Sequence, residues 1–246
     1  MDRPGRPDRG KGRPPEAAQQ SPTEQQGPPI PEEITGLELD REVKAQLRSL
    51  PRATSERVAK HLVAAGQLLE DDPRLALQHA EAARAEGGRL AVVREACGVA
   101  AYMAGNYEKT LAELRAARRI SGSAAYLPMM ADAERGLGRP QRALEFWNSE
   151  ERELLDQAGK IELRIVAAGA RQDLGQPAAA VQLLNVPELR TSEIEPWTVR
   201  IRYAYADALL AAGRRDEALE WFAKADQADL EGETDAGGRY VELLDD

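Results

Sequence analysis

One stretch, Gly138-Arg139-Pro140-Gln141-Arg142-Ala143-Leu144-Glu145-Phe146-Trp147, returns in weaker form along most of the 246-residue chain. With Gly138 as a phase mark, the equivalent positions are Asp71, Gly105, Gly175 and Gly213, which gives steps of 34, 33, 37 and 38 residues. A period of this length marks a helix pair that has been copied and stacked. Such a unit has no interior of its own and must shelter its apolar face against its neighbours. The predicted fold class is therefore all-α, an α-solenoid of about five antiparallel helix pairs.

The residues at fixed phase support that register. Seven before each mark stand Ala64, Gly98, Ala131, Ala168 and Ala206; five after it stand Ala76, Thr110, Ala143, Ala180 and Ala218. Six after it come Leu77, Leu111, Leu144, Val181 and Leu219, and nine after it Ala80, Leu114, Trp147, Leu184 and Phe222. Small residues let two helices approach closely, and the larger rows supply the core between them.

The breaks have turn chemistry. A glycine at the mark can take the left-handed conformation that closes a helix, and Pro140 or Pro177 two residues on can open the next. At the first mark Asp71-Asp72-Pro73 replaces glycine. Pro128 falls in the first turn of a helix predicted to start near Ala125, where a missing amide costs nothing.

Outside the repeats, residues 1–33 read as a disordered Pro/Gly/Gln-rich tail, since eight of the fifteen prolines lie in residues 1–31 and large apolar side chains are scarce. Leu39, Val43, Leu47 and Leu50 predict a capping helix over 38–51, ended by Pro51. Residues 54–229 form the repeat domain. Residues 230–246 read as a linker followed by a short apolar tail, Tyr240 to Leu244, that is a candidate end cap.

The chain resembles the tetratricopeptide repeat family, through residues such as Gly98, Gly105, Tyr107, Leu114 and Ala117 of the second unit and over about residues 56–229. It departs from the family eleven residues before each mark, where an aromatic side chain is frequent and this chain has Lys60, Arg94, Leu127, Arg164 and Arg202. The basic ones are expected to snorkel outward. The long last two steps predict irregular loops near Pro187 and Glu195-Pro196.

What the resemblance implies is a right-handed superhelix whose first helices line a concave groove for an extended peptide or a partner helix. Its groove-facing phases project onto His61, then Glu95 and Tyr102, then Asp132 and Arg135. In the fourth unit they fall on Glu162 and Gln172, and in the fifth on Arg200, Tyr203 and Asp207. The lysines and asparagines with which some members hold a terminal carboxylate are missing. A lining of mixed sign favours a partner segment carrying both charges, with Tyr102 and Tyr203 as anchors. The implied function is a non-enzymatic scaffold or adaptor that binds another protein. Two alternatives stay open: self-assembly into a homo-oligomer through the apolar tail, and an accessory role in an RNA or ribonucleoprotein complex.

Composition and motifs narrow the other classes. Residues 1–31 hold five basic and four acidic side chains, so the rest carries 28 minus 38, or −10. An acidic body argues against nucleic acid, which proteins hold chiefly by lysine and arginine neutralisation. Arg115, Arg118 and Arg119 could touch phosphate but read as a solvated face. His61 and His79 have no partners at metal-ligand spacing. Gly136-Leu137-Gly138 lacks the context of a phosphate loop, and no nucleophile motif is present. Cys97 reads as a buried small hydrophobe, Trp147 and Trp221 as core, and Trp197 as a helix-start staple. No catalytic residue, metal, cofactor or small-molecule substrate is expected. No apolar run approaches the roughly 18 residues of a membrane span and no secretory signal opens the chain, so a cytoplasmic protein is expected. The bias of 27 arginines to 6 lysines reads as high-GC bacterial coding.

Overall fold

The structure, a computed structural model, describes residues 27–245. Most of the tail expected over residues 1–33 lies outside them. Among the described residues the chain is all-helical, with no strand. After a strap of turns and bends over residues 27–40 come α1 (Arg41–Leu47), α2 (Arg52–Gln67), α3 (Pro73–Gly87), α4 (Ala91–Met103) and α5 (Tyr107–Ser121). The chain continues through α6 (Leu127–Gly136), α7 (Pro140–Trp147), α8 (Gln157–Asp173) and α9 (Pro177–Leu184), with a 3-10 turn at Glu150–Leu154 between α7 and α8. A second 3-10 turn, Pro187–Arg190, precedes α10 (Thr198–Ala211), α11 (Arg215–Asp226) and α12 (Ala236–Asp245). The marks thus fall between α2 and α3, α4 and α5, α6 and α7, α8 and α9, and α10 and α11. Both irregular stretches expected near Pro187 and Pro196 are present.

Gly138 shows how one helix of a unit hands over to the next. Its φ is +71°, a conformation that costs an L side chain roughly 1–2 kcal/mol and glycine nothing. The N–H groups of Gly138 and Arg139 donate to the carbonyls of Arg135 and Glu134 at 2.8 and 2.9 Å, satisfying acceptors that the end of α6 leaves open. Gly105, Gly175 and Gly213 repeat both the φ, at 71°, 70° and 75°, and the pair of bonds. In the first unit the Asp72 carboxylate instead accepts from the Leu75 N–H at 3.0 Å, and Pro73 opens α3.

Most residues of the phase rows are core, although Leu77 and Leu219 are half-buried. Ala64, Ala131, Ala168 and Ala206 are buried, as are Ala76, Thr110, Ala143, Ala180 and Ala218. Gly98 marks a close approach: a Cβ there would meet Leu114 Cδ2 at 2.5 Å, so α4 and α5 pack with no room for a methyl group. Leu114, Leu184 and Phe222 of the next row are sealed, each burial removing about 1.5–3 kcal/mol worth of apolar surface from water. Trp147 is only half-buried, with the guanidinium groups of Arg152 and Arg164 over its ring at 4.5 and 5.0 Å. Helices pack on their chain neighbours, and the first helices of some successive units also touch, α2 with α4, α6 with α8 and α8 with α10.

The arginines eleven residues before the marks do not snorkel outward. Arg94 donates to the Gly88 carbonyl at 2.6 Å and to Glu113 at 2.7 Å. Arg164 donates to the Leu183 carbonyl at 2.8 Å, and Arg202 to the carbonyls of Leu189 and Thr191 at 3.3 and 2.9 Å. Open carbonyls near the ends of neighbouring elements draw a half-buried cation more strongly than solvent does, since a buried acceptor without a donor is costly. The expectation failed because it weighed the side chain's charge and not the acceptors beside it.

Segments at both ends of the described chain pack on the helices beside them. The strap lays Ile34 against Val63 and Ala64 of α2, and a Cβ on Gly27 would collide with Ala82 at 2.5 Å, so residues 27–33 lie on the body. Leu47 and Leu50 close over Val58 and Leu62. At the other end α12 packs on α11 and buries Ala236 and Leu243 in the cluster that holds Ile201, Leu209 and Phe222.

Candidate functional site

The residues projected onto groove-facing phases fall on α4, α6, α8 and α10, and most of them are bonded to one another. The Tyr102 hydroxyl donates to Asp132 at 2.5 Å, linking α4 to α6. Arg135, one turn after Asp132, donates to it at 2.8 Å and to Asp173 of α8 at 2.8 and 3.3 Å. Glu162 of α8 faces Arg200 of α10 at 2.8 Å. Arg239 of α12 reaches Asp207 at 3.3 Å and Tyr203 at 3.4 Å on α10. These contacts form a polar ladder whose rungs each join two successive first helices and extend that relation to α12.

Burial sets the electrostatics of the ladder. It raises the Tyr102 phenol, and the bond to Asp132 adds to the effect, so the hydroxyl remains a donor. It also raises Glu162, a shift opposed by Arg200 and reinforced by Glu233. Gln172 is half-buried on α8 and takes no part in a rung. Gly169 makes room for Arg135: a Cβ there would stand 2.6 Å from the guanidinium carbon.

Glu95 is different. It lies with Tyr126, Leu69, Val92 and Val99 around a recess of about 190 Å³ between α2, α4 and the start of α6. Burial alone raises its carboxyl, and no hydrogen bond or ion pair reaches it among the described residues. The recess is otherwise apolar, so a desolvated carboxylate sits there without compensation.

His61 does not belong to this face. It is buried against His79, the two Nδ1 atoms 2.9 Å apart, and Gly27 of the strap presses on its ring. One ring must donate and the other accept, so the pair is neutral or singly charged; burial lowers both, and in His61 the neighbouring His79 adds to it. The arginine cluster is also occupied in part: Arg115 pairs at 2.8 Å with the buried carboxylate of Glu134, and Arg118 pairs with Glu151.

Sequence phase missed three contributors. Asp173 stands near the end of α8, Tyr126 precedes α6, and Arg239 lies in residues 230–246, read as a linker and tail, just before the apolar stretch Tyr240 to Leu244. The only sequence signal for Arg239 was a lone cation amid an acidic linker and tail. Cys97 is buried, which pushes its thiol up to about 11 and leaves it a poor nucleophile. Among the described residues no group of three or more His, Cys, Asp or Glu is placed to hold a metal ion, and no helix is long and apolar enough to cross a membrane. No protein-family model matches the chain, and no curated protein matches it.

Proposed function

We propose that the chain is a tetratricopeptide-like solenoid of five antiparallel helix pairs that works as a non-enzymatic adaptor, holding a segment of another protein along the face made by its first helices. The observation that carries this reading is the recess around Val99 and Tyr126, an open apolar concavity on helices whose other projected charged side chains are paired with opposite charges. Apolar recesses with one convergent polar group are where binding energy concentrates. The ladder fits the same role, because it fixes the spacing of α6, α8, α10 and α12 and leaves α2 and α4 to offer a preformed surface.

The contacts of α10 leave the free surface at the other end of the face. Arg200 and Tyr203 are engaged with Glu162 and Arg239, so the binding end is the one near Glu95. The test is selection from a displayed peptide library against the full chain, repeated with Val99→Asp, whose helicity is checked by circular dichroism. Peptides that bind the parent and lose at least about tenfold in affinity with Val99→Asp support the assignment, a loss of about 1.4 kcal/mol. Peptides that bind both forms equally, or a library that yields none, remove the recess from consideration.

A further inference from the structure

The recess has an uncompensated carboxylate, and the chain itself carries a segment with the complementary chemistry. Residues 3–13 contain Arg3, Arg6, Arg9, Lys11 and Arg13 against the single acid Asp8, a balance of 5 minus 1, or +4, with Pro4 and Pro7 interleaved. The described body beyond them is acidic. Every other charged side chain projected onto this face already has a partner of opposite sign, Asp132 and Arg135 with each other, Glu162 with Arg200, and Asp207 with Arg239. Glu95 is the one projected charge without such a partner among the described residues.

The point where the described chain begins makes the connection feasible. Gly27 lies on α2 and α3 against His61 and Ala82, and His61 is followed by Leu62, which forms part of the recess wall. From Arg13 to Gly27 is a span of 14 residues. At up to about 3.3 Å per residue this reaches roughly 45 Å, several times the 10–12 Å thickness of the helix that must be crossed. Prolines suit the rest of the recess, because an extended proline-rich segment loses little entropy on docking and lays its rings on aromatic and aliphatic walls.

We propose that residues 3–13 dock in cis into the recess between α2, α4 and α6, with an arginine or Lys11 cation paired to Glu95 and proline rings against Tyr126 and Val99. The inference rests on reading that recess as the partner site, and it makes the arm a built-in competitor for it. A partner must displace the arm, and a basic, proline-containing segment is the chemistry best able to do so. The pair gains from its surroundings: a charge-assisted bond in a partly desolvated recess is stronger than one on an open face.

The test is limited trypsin cleavage of the full chain at low salt, followed by mass spectrometry. Of the five basic residues only Arg9 and Lys11 offer the protease an open bond, since Arg3, Arg6 and Arg13 each precede a proline. Cleavage at Arg9-Gly10 and Lys11-Gly12 is expected to be about tenfold slower in the parent than in Glu95→Lys, because the protease reads the undocked population. Protection should fall as salt is raised. Glu95→Gln, a milder change, should give an intermediate rate, which keeps the test valid if Glu95→Lys disturbs folding. Equal cleavage in the parent and Glu95→Gln overturns the docking. Protection that grows with protein concentration assigns the recess to the arm of a second copy and overturns the cis form. If the arm is unprotected while library peptides still bind in a Val99-dependent way, only this inference falls; if neither occurs, the partner site falls with it.

Discussion

The two ends of the first-helix face solve the same problem differently. From α6 onward each rung places a donor against an acceptor on the next first helix, so Asp132, Arg135, Glu162, Arg200 and Asp207 spend their charge inside the molecule. Between α2 and α4 no such rung exists among the described residues; Leu62, Val92 and Val99 meet across a gap, and Glu95 is left over. A buried or half-buried polar group is costly unless bonded, so the ladder is a stabilising device and the recess a cost carried within the fold. That difference separates residues that hold the array together from residues available to something else.

The sharpest break of this comparison is Asp132→Ala. It removes the acceptor of the Tyr102 hydroxyl and one of the two carboxylates that hold Arg135, leaving a half-buried phenol without that partner. We expect a loss of about 1–3 kcal/mol in chemical denaturation with the midpoint shifted and the slope unchanged. A change within error would mean that the rungs are surface decoration.

Glu95→Gln should act in the opposite direction once the arm's cations are removed. In a chain with Arg3, Arg6, Arg9, Lys11 and Arg13 replaced by glutamine, neutralising Glu95 should raise stability by about 0.5–1 kcal/mol, discounted for the solvent that still reaches the carboxylate. The sign follows from the direction of its shift. Burial raises the folded-state value above the ordinary 4.5, so the folded chain binds the proton more tightly than the unfolded chain. The penalty is therefore absent below about pH 4.5 and grows as pH rises through the raised value, where the variant should gain its full advantage. With the arm intact the gain should shrink or reverse, and the coupling between arm and carboxylate is the measured quantity.

What was legible in the sequence follows the same division. The marks, the small rows and the glycine turns are local or strictly periodic, so phase alone located Gly138, Ala131 and Ala143 in turn and core. Phase also put Glu95, Tyr102, Asp132, Arg135, Glu162, Arg200, Tyr203 and Asp207 on the first helices. It did not reveal that most of them bond to one another, because a rung depends on how far each unit is rotated against the next. Asp173 and Arg239 complete rungs from positions outside the projected set, and Arg239 does so from a helix that reads as a tail. His61 was misplaced for a related reason: its partner His79 and its cover at Gly27 lie on other elements. Arg94, Arg164 and Arg202 turned inward because acceptors on neighbouring elements awaited them.

The smallest expected effect tests the ladder most finely. At Gly169 a methyl group would stand 2.6 Å from the Arg135 guanidinium carbon and 2.7 Å from one of its nitrogens, so the side chain must move. The mobile end of an arginine yields readily, and what is lost is the pair with Asp173, whose members are 28% and 37% exposed and which contributes at most about 1 kcal/mol. Against that stands the gain of replacing glycine by alanine inside α8, about 0.8–1.0 kcal/mol. The two terms nearly cancel, and Gly169→Ala should leave stability within about 0.5 kcal/mol of the parent. In an Asp173→Ala background there is no rung left to lose, so the same substitution should show the full helix gain. Equal effects in both backgrounds would mean that Arg135 and Asp173 are neighbours without being partners, and the ladder would then stop at α6.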